Sequence, residues 1–283
     1  MPGDAAVVAA AGVCHARRRM VSQTLATTAA LVAGAMLALW LLSLALRDAS
    51  IVDVFWGLGF VLIAHAVRVT AAGVPARAWL VTGLVTAWGI RLGGYLLWRN
   101  WGGGEDYRYQ AMRRRWGRHF WIASLGIVFG LQGVLMWLIS LPVQAAIAAP
   151  APAALGWLDA LGTVLVLIGL AFESIGDLQL ARFKRDPASK GQVMDRGLWR
   201  YTRHPNYFGD AVVWWGLYCF ALATDHPLTM AGPLVMTWLL TRLSGVPLLE
   251  KKLARTRPGY AAYVARTSSF VPWPPKARAA DAS

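Results

Sequence analysis

The stretch from Asp195 to Asp210 has the densest set of side chains that could bind charged groups. Four basic residues come before Pro205 in this stretch: Arg196, Arg200, Arg203 and His204. Pro205 favours the first turn of a helix, so a helix is predicted to begin near Asn206. Free N–H groups at a helix start, together with nearby cations, suit phosphate or carboxylate groups. We therefore take this stretch as the predicted centre of a functional site.

Polar side chains continue into the helix that follows this turn. Asn206, Tyr207 and Asp210 lie within one helical turn of each other. Polar groups at bilayer depth are costly and usually face a cavity or a partner, which favours a site. The alternative is a basic cytoplasmic loop followed by an ordinary membrane helix.

The composition is that of an integral membrane protein. The 283 residues are 57% hydrophobic with a mean hydropathy of +0.46. The apolar runs predict an all-α polytopic fold of about seven transmembrane helices. The predicted spans are Leu25 to Leu46, Asp53 to Ala72, Trp79 to Trp98, Phe120 to Ala146, Leu155 to Asp177, Asn206 to Ala223 and Leu228 to Leu249.

The net charge of +14 reflects membrane topology rather than nucleic-acid binding. Of the 28 Lys and Arg residues, 20 lie in the segments 99–118, 182–203 and 251–278, which seven spans place on one side. The positive-inside rule then puts the C-terminus in the cytoplasm and the N-terminus outside.

The first twenty residues do not fit this topology. Arg17, Arg18 and Arg19 would lie on the outer side. Either Met20 is the true start or the later basic segments override this short run. We predict an irregular, Ala-rich tail over residues 1–20, one membrane domain over 21–275 and a tail over 276–283.

Glycine pairs four residues apart predict close helix contacts at Gly89/Gly93 and Gly126/Gly130. Between the first two, Arg91 lies one turn before Tyr95, so both could face an inward polar wall. Asp53 could cap its helix or serve a substrate. The charged loop 99–119 could lie on anionic headgroups.

Further polar faces occur at the ends of the predicted helices. Glu173, Asp177 and Lys184 share one face, with Arg182 nearby, and form either part of the site or an internally neutralised ion-pair face. Tyr260, Tyr263 and Arg266 predict a short amphipathic helix that closes the cytoplasmic side or anchors to the membrane surface. Two cysteines and five scattered histidines predict no metal site, and no P-loop or dinucleotide-binding glycine motif is present.

Two motifs together resemble the bacterial branch of the steroid 5-alpha-reductase-like membrane enzymes. They are Phe172-Glu-Ser-Ile-Gly-Asp-Leu-Gln-Leu and Gly197-Leu-Trp-Arg-Tyr-Thr-Arg-His-Pro-Asn-Tyr-Phe-Gly-Asp. The resemblance continues through Ser244-Gly-Val-Pro-Leu-Leu-Glu-Lys and Arg266-Thr-Ser-Ser-Phe-Val-Pro-Trp, and upstream through Asp53-Val-Phe-Trp-Gly and Trp88-Gly-Ile-Arg-Leu.

The resemblance implies a multi-pass enzyme of the bacterial inner membrane that reduces an activated carbon–carbon double bond of a lipid with NADPH. The implied cofactor-binding residues are Asp177, Arg182, Lys184, Tyr201, Arg203, His204, Asn206, Tyr207, Asp210, Glu250, Tyr263 and Arg266. Steroid-reducing members carry a Gln-Glu pair in the second helix that this chain lacks. Asp53 or Tyr95 could supply the catalytic acid instead, and the lipid need not be a steroid.

The segment from Lys184 to Trp215 independently suits NADPH, because it combines cations for phosphates with aromatic side chains for the nicotinamide. Two alternatives remain. Arg203-His-Pro-Asn-Tyr followed by a later Glu also resembles S-adenosylmethionine-dependent isoprenylcysteine and phospholipid methyltransferases, although these typically carry two Glu residues where this chain has Glu250-Lys251. A non-enzymatic lipid-binding or scaffold protein is the other alternative.

Overall fold

The protein is almost entirely helical in the part of the chain described by the computed structural model. That part comprises residues 2–70, 76–243 and 246–276, with side chains from Ser22 onward except those at 247, 248 and 252. The α-helices are α1 (Pro2–Leu46), α2 (Ile51–Thr70), α3 (Ala76–Asn100), α4 (Tyr107–Trp116), α5 (Phe120–Ser124), α6 (Leu131–Ile139), α7 (Leu141–Ala148), α8 (Trp157–Arg185), α9 (Pro205–Leu222), α10 (Ala231–Trp238), α11 (Val246–Thr256) and α12 (Tyr260–Arg266). These residues form no β-strand, only an isolated parallel bridge between Thr202 and Ser268.

Five helical segments among the described residues are long and apolar enough to cross a membrane. They are Ser22–Leu46, Ile51–Thr70, Ala76–Asn100, Tyr107–Ile139 and Trp157–Arg185. The all-α polytopic membrane fold is therefore confirmed, whereas the predicted number of seven spans is not. The predicted sixth span corresponds to α9, whose first turns contain Asn206 and Asp210, and the seventh contains residues 244–245, outside the described part.

Helix α1 extends back to Pro2, through the residues predicted to form an irregular tail. This segment is rich in Ala, the strongest helix former, so a helix agrees with its local propensity. Of the predicted C-terminal tail, only Lys276 is described.

The chain forms two compact units. The first contains residues 1–155 and 223–229, and the second contains residues 156–222 and 230–283. In the first unit, α2 packs on α3 through glycines. A Cβ atom on Gly89 would lie 2.5 Å from the Gly57 carbonyl oxygen, and one on Gly93 would lie 3.0 Å from the Val54 oxygen. The predicted close contact at Gly89 and Gly93 is thus confirmed.

The second glycine pair of the first unit behaves differently, and its predicted close contact is wrong. Among the described residues, no atom lies within 4 Å of a Cβ built on Gly126, and one built on Gly130 would meet the Leu125 oxygen of its own helix. A π-helical stretch, Leu125–Gly130, contains both residues and changes which face they occupy. Gly133 contacts α1 instead, through Val32 and Met36.

The second unit is built on the antiparallel pair of α8 and α9. A Cβ atom on Gly162 would lie 2.7 Å from the Gly216 oxygen, and one on Gly169 would lie 2.5 Å from the Gly209 oxygen. Real side chains essentially never approach so closely, so both backbones must lack Cβ atoms at these levels. The same face of α8 then places Gly176 against the first turn of α9.

Gly169→Ala should destabilise the protein by about 1–3 kcal/mol, because the added methyl group forces α8 and α9 apart. Gly83→Ala is the matched control, since a Cβ atom on this helical glycine meets nothing within 4 Å. It should be neutral or slightly stabilising, because Ala is the better helix former. Thermal unfolding of both variants in detergent measures the difference, and equal melting temperatures would contradict the packing described here.

Candidate functional site

A buried acid–amide pair lies where α8 and α9 meet. The Asp177 side chain is in α8, and the residue is 5% exposed. Asn206 is in the first turn of α9, and its Nδ2 donates a hydrogen bond to Asp177 Oδ1 at 3.1 Å. The Asn206 Oδ1 accepts a bond from the Tyr207 N–H. The helix begins at Pro205, as the sequence predicts, so the position of the proline sets that of the amide.

Arg203, His204 and Glu250 form a second cluster in the same unit. The Arg203 Nε donates to Glu250 Oε1 at 2.7 Å, and His204 Nε2 lies 3.2 Å from the same oxygen. Burial opposes ionisation of Glu250, but its hydrogen bonds to His204 and Arg203 dominate and lower its pKa to about 2. Glu250 is therefore an anion at neutral pH, and it neutralises a buried arginine.

A second nitrogen of the Arg203 guanidinium points to backbone carbonyl oxygens in the last turn of α12 and just after it. One guanidinium nitrogen, Nη1, donates to the carbonyl oxygens of Thr267 at 2.5 Å and Val264 at 3.2 Å. Arg203 is only 9% exposed. Its positive charge is thus neutralised inside the unit, where the Arg203 side chain joins the turn before α9 to α11, α12 and the C-terminal segment.

Helix α12 is joined to the loop before α9 by buried hydrogen bonds. The Tyr263 hydroxyl donates to the Trp199 carbonyl oxygen at 2.5 Å, and Trp199 Nε1 donates to the Gly176 oxygen at 3.0 Å. Burial raises the pKa of Tyr263, which keeps its hydroxyl protonated. Arg266 forms an ion pair with Asp195. This chain of contacts fixes α12 relative to the buried end of α8.

The segment after α12, residues 267–276, runs along the turn before α9. Thr202 Oγ1 donates to the Phe270 oxygen at 2.7 Å, and the Arg203 N–H donates to the Ser268 oxygen at 2.9 Å. The Phe208 ring lies edge-to-face against Phe270 and Phe172, with centroids 6.1 and 5.1 Å apart. Residues 267–276 therefore form a strap that covers the turn before α9 through hydrogen bonds and aromatic contacts.

Other predicted site residues are more accessible. Arg182, Lys184 and Tyr201 are exposed. The Tyr207 ring stacks on His204 with centroids 5.5 Å apart, and Asp210 lies half-buried one turn after Asn206. The second unit thus has a buried polar layer and accessible cations beyond it.

The sequence did not predict two residues that support the site, Trp199 and Gln179. The Gln179 Oε1 accepts a hydrogen bond from the Leu198 N–H, and Trp199 Nε1 donates to the Gly176 oxygen. Both bonds are made to backbone atoms, which leave no pattern in the residue types.

The two predicted catalytic residues, Asp53 and Tyr95, belong to the first unit. Asp53 accepts hydrogen bonds from Arg108 Nη2 at 2.5 Å and from the Tyr109 hydroxyl at 2.6 Å. Gln132 Nε2 donates to the same hydroxyl at 3.3 Å. Arg108, Tyr109 and Gln132 were not predicted as partners of Asp53. The backbone before α2 is instead capped by Asp48, which accepts the Ser50 N–H.

Tyr95 has aromatic and cationic neighbours on its own helix. Its ring centroid lies 5.8 Å from that of Trp98. The guanidinium carbons of Arg91 and Arg99 lie 5.7 and 5.8 Å from the Tyr95 ring centroid. These contacts place Tyr95 on a mixed aromatic and basic face of α3.

The chain matches, over residues 39–267, a family described as a protein of unknown function (DUF1295), which includes steroid 5-alpha-reductase-like proteins. It is also 27% identical over 248 residues to an uncharacterized protein of Schizosaccharomyces pombe, C594.04c, and the match covers 77% of this chain and 67% of that protein. No solved structure matches. By the extent of the family match, this membrane protein belongs to the DUF1295 family.

Proposed function

We propose that this protein is an NADPH-dependent membrane reductase that acts on an activated carbon–carbon double bond of a lipid. The observation that carries the proposal is the arrangement in the second unit, where a buried Asp177–Asn206 pair is followed along α8 by the exposed cations Arg182 and Lys184. A dinucleotide phosphate needs both elements, because it combines neutral hydrogen-bonding groups with several phosphate charges.

The neutral part of the nucleotide fits the buried layer of this unit. An amide and a carboxylate can donate to and accept from a carboxamide or ribose hydroxyls. The Tyr207 ring, which stacks on the buried His204, and the Phe270 ring of the strap provide flat apolar surface in the same unit. These groups support binding of a nicotinamide nucleoside in the second unit.

The phosphates require cations that are not already neutralised. Arg203 is paired with Glu250 and Arg266 with Asp195, so both act as positioning residues in this proposal. The exposed side chains of Arg182, Arg196 and Arg200 are the better phosphate ligands. The proposal therefore divides the predicted cofactor residues into those that hold the fold of the site and those that contact the nucleotide.

NADPH, when bound, would supply a hydride to the alkene carbon. The chain must then supply a proton and stabilise the charge that develops on the conjugated carbonyl oxygen. Asp53 accepts hydrogen bonds from both Arg108 and Tyr109 and offers no proton in that arrangement. It is suited to hold the Tyr109 hydroxyl in place, so in this proposal it is a positioning residue.

The cofactor can be identified by thermal unfolding of the detergent-purified protein. NADPH at one hundred times its dissociation constant should stabilise the folded state by about 2.7 kcal/mol, because it binds only that state. S-adenosylmethionine at the same concentration should leave the melting temperature unchanged. Stabilisation by S-adenosylmethionine alone would contradict the reductase and favour a methyltransferase. An unchanged melting temperature with both ligands would favour a non-enzymatic protein.

Replacing the acid–amide pair should remove cofactor binding. Asn206→Ala and Asp177→Asn should each weaken NADPH affinity at least tenfold, since one charged or neutral hydrogen bond contributes about 1–3 kcal/mol. Asp177→Asn keeps the size of the side chain and limits the change in folding stability. Gln192→Ala, which alters an exposed amide of the same unit, is the control. Unchanged affinity in both site variants would reject this location for the nucleotide.

The exposed cations of α8 should determine the preference for NADPH over NADH. The double variant Arg182→Gln/Lys184→Gln should reduce the ratio of the two affinities about tenfold or more, because the 2′-phosphate loses its charged partners. Lys190→Gln removes a nearby exposed charge and should leave the ratio as it is. Titration of each variant with both nucleotides measures the ratio, and an equal loss for NADH and NADPH would mean that these residues bind the shared pyrophosphate.

A further inference from the structure

The basic segment that begins the span Tyr107–Ile139 contains arginines in two distinct environments. Arg108 is paired with Asp53 and Asp106, and Arg113 is paired with Glu105 at 2.8 Å. These two cations connect α4 to the start of α2 and to the preceding loop. Their charge is neutralised within the first unit, so they have a structural role.

Three further arginines follow immediately and differ in their environment. Arg114, Arg115 and Arg118 are exposed. None of them forms an ion pair with the residues for which side chains are described. Three positive charges within five residues repel each other, and an anion bound beside them would relieve this repulsion.

Exposed tryptophans accompany these arginines. Trp116 is 44% exposed and Trp121 is 51% exposed. Trp40 Nε1 donates to the Trp121 carbonyl oxygen at 2.8 Å, and the two indole rings stack at a centroid distance of 6.4 Å. Tryptophan prefers the headgroup level of a bilayer. The contact between Trp40 and Trp121 therefore holds α5 against α1, directly after these three arginines.

We propose that this surface, formed by Arg114, Arg115, Trp116, Arg118 and Trp121, binds the phosphate groups of anionic phospholipids. The helix that carries it continues into an apolar segment able to cross the membrane, so the arginines lie within reach of headgroups. A guanidinium binds phosphate through two hydrogen bonds, and the indoles insert beside it at the interface. Charge and aromatic content together favour a lipid over a soluble anion.

The test compares short-chain phosphatidylglycerol with short-chain phosphatidylcholine as ligands of the detergent-purified full chain. The wild-type melting temperature should rise at lower concentrations of phosphatidylglycerol. The triple variant Arg114→Gln/Arg115→Gln/Arg118→Gln should lose this preference on the order of a hundredfold, since each arginine near a headgroup contributes about fivefold. Glutamine keeps the helix propensity of these positions.

Two controls make the outcome specific. The variant Arg114→Lys/Arg115→Lys/Arg118→Lys keeps the charge and should retain most of the preference. Removing three exposed charges elsewhere, with Lys190→Gln/Lys251→Gln/Arg255→Gln, should not change it. The proposal is overturned if this second triple loses the preference equally, if the first triple keeps it, or if inorganic phosphate alone stabilises the wild type as strongly as phosphatidylglycerol.

Discussion

The close backbone contact between α8 and α9 is the constraint on which the candidate site depends. Lipid chains are as apolar as leucine, so helices in a membrane associate through packing rather than hydrophobic burial. Glycines at three levels of α8, Gly162, Gly169 and Gly176, allow α9 to approach within backbone contact. At the last level the approach brings Asn206 to Asp177. The amide gives the buried carboxylate a hydrogen-bond partner there, which lowers the cost of its burial.

The second unit contains a buried cation that is paired with an anion, and it also contains exposed cations. Electrostatics gives the two kinds different roles. A buried arginine is tolerated when its donors are satisfied and an anion is close, and Arg203 meets both conditions through Glu250 and two carbonyl oxygens. A cation held this way is already neutralised and gains little from a ligand phosphate. Exposed cations keep their capacity to bind, so the strongest candidates for ligand contact lie outside the buried core of the motif.

The parts of the structure that follow from local sequence were predictable, and the parts that depend on distant pairing were not. Apolar runs predicted the membrane helices, and Pro205 predicted where α9 starts. The motif at Gly126 and Gly130 was misleading, because a π-helical stretch changes which face these residues occupy. Asp53 pairs with Arg108 and Tyr109, which lie 55 and 56 residues further along the chain. No periodicity in the sequence indicates such a pairing. The position of the strap, residues 267–276, was equally unpredictable, because its hydrogen bonds to the turn before α9 are accepted by backbone carbonyl oxygens.

The distribution of charge supports the proposed NADPH-dependent reductase over the alternative methyltransferase. S-adenosylmethionine carries a positive sulfonium, an ammonium and a single carboxylate but no phosphate, so the exposed Arg182, Arg196 and Arg200 would find only one anionic group on it. A dinucleotide phosphate gains from each of them. The buried acid Asp177 could attract a sulfonium, although one of its oxygens, Oδ1, already accepts a hydrogen bond from Asn206. The physical chemistry of the second unit therefore favours a phosphorylated nucleotide.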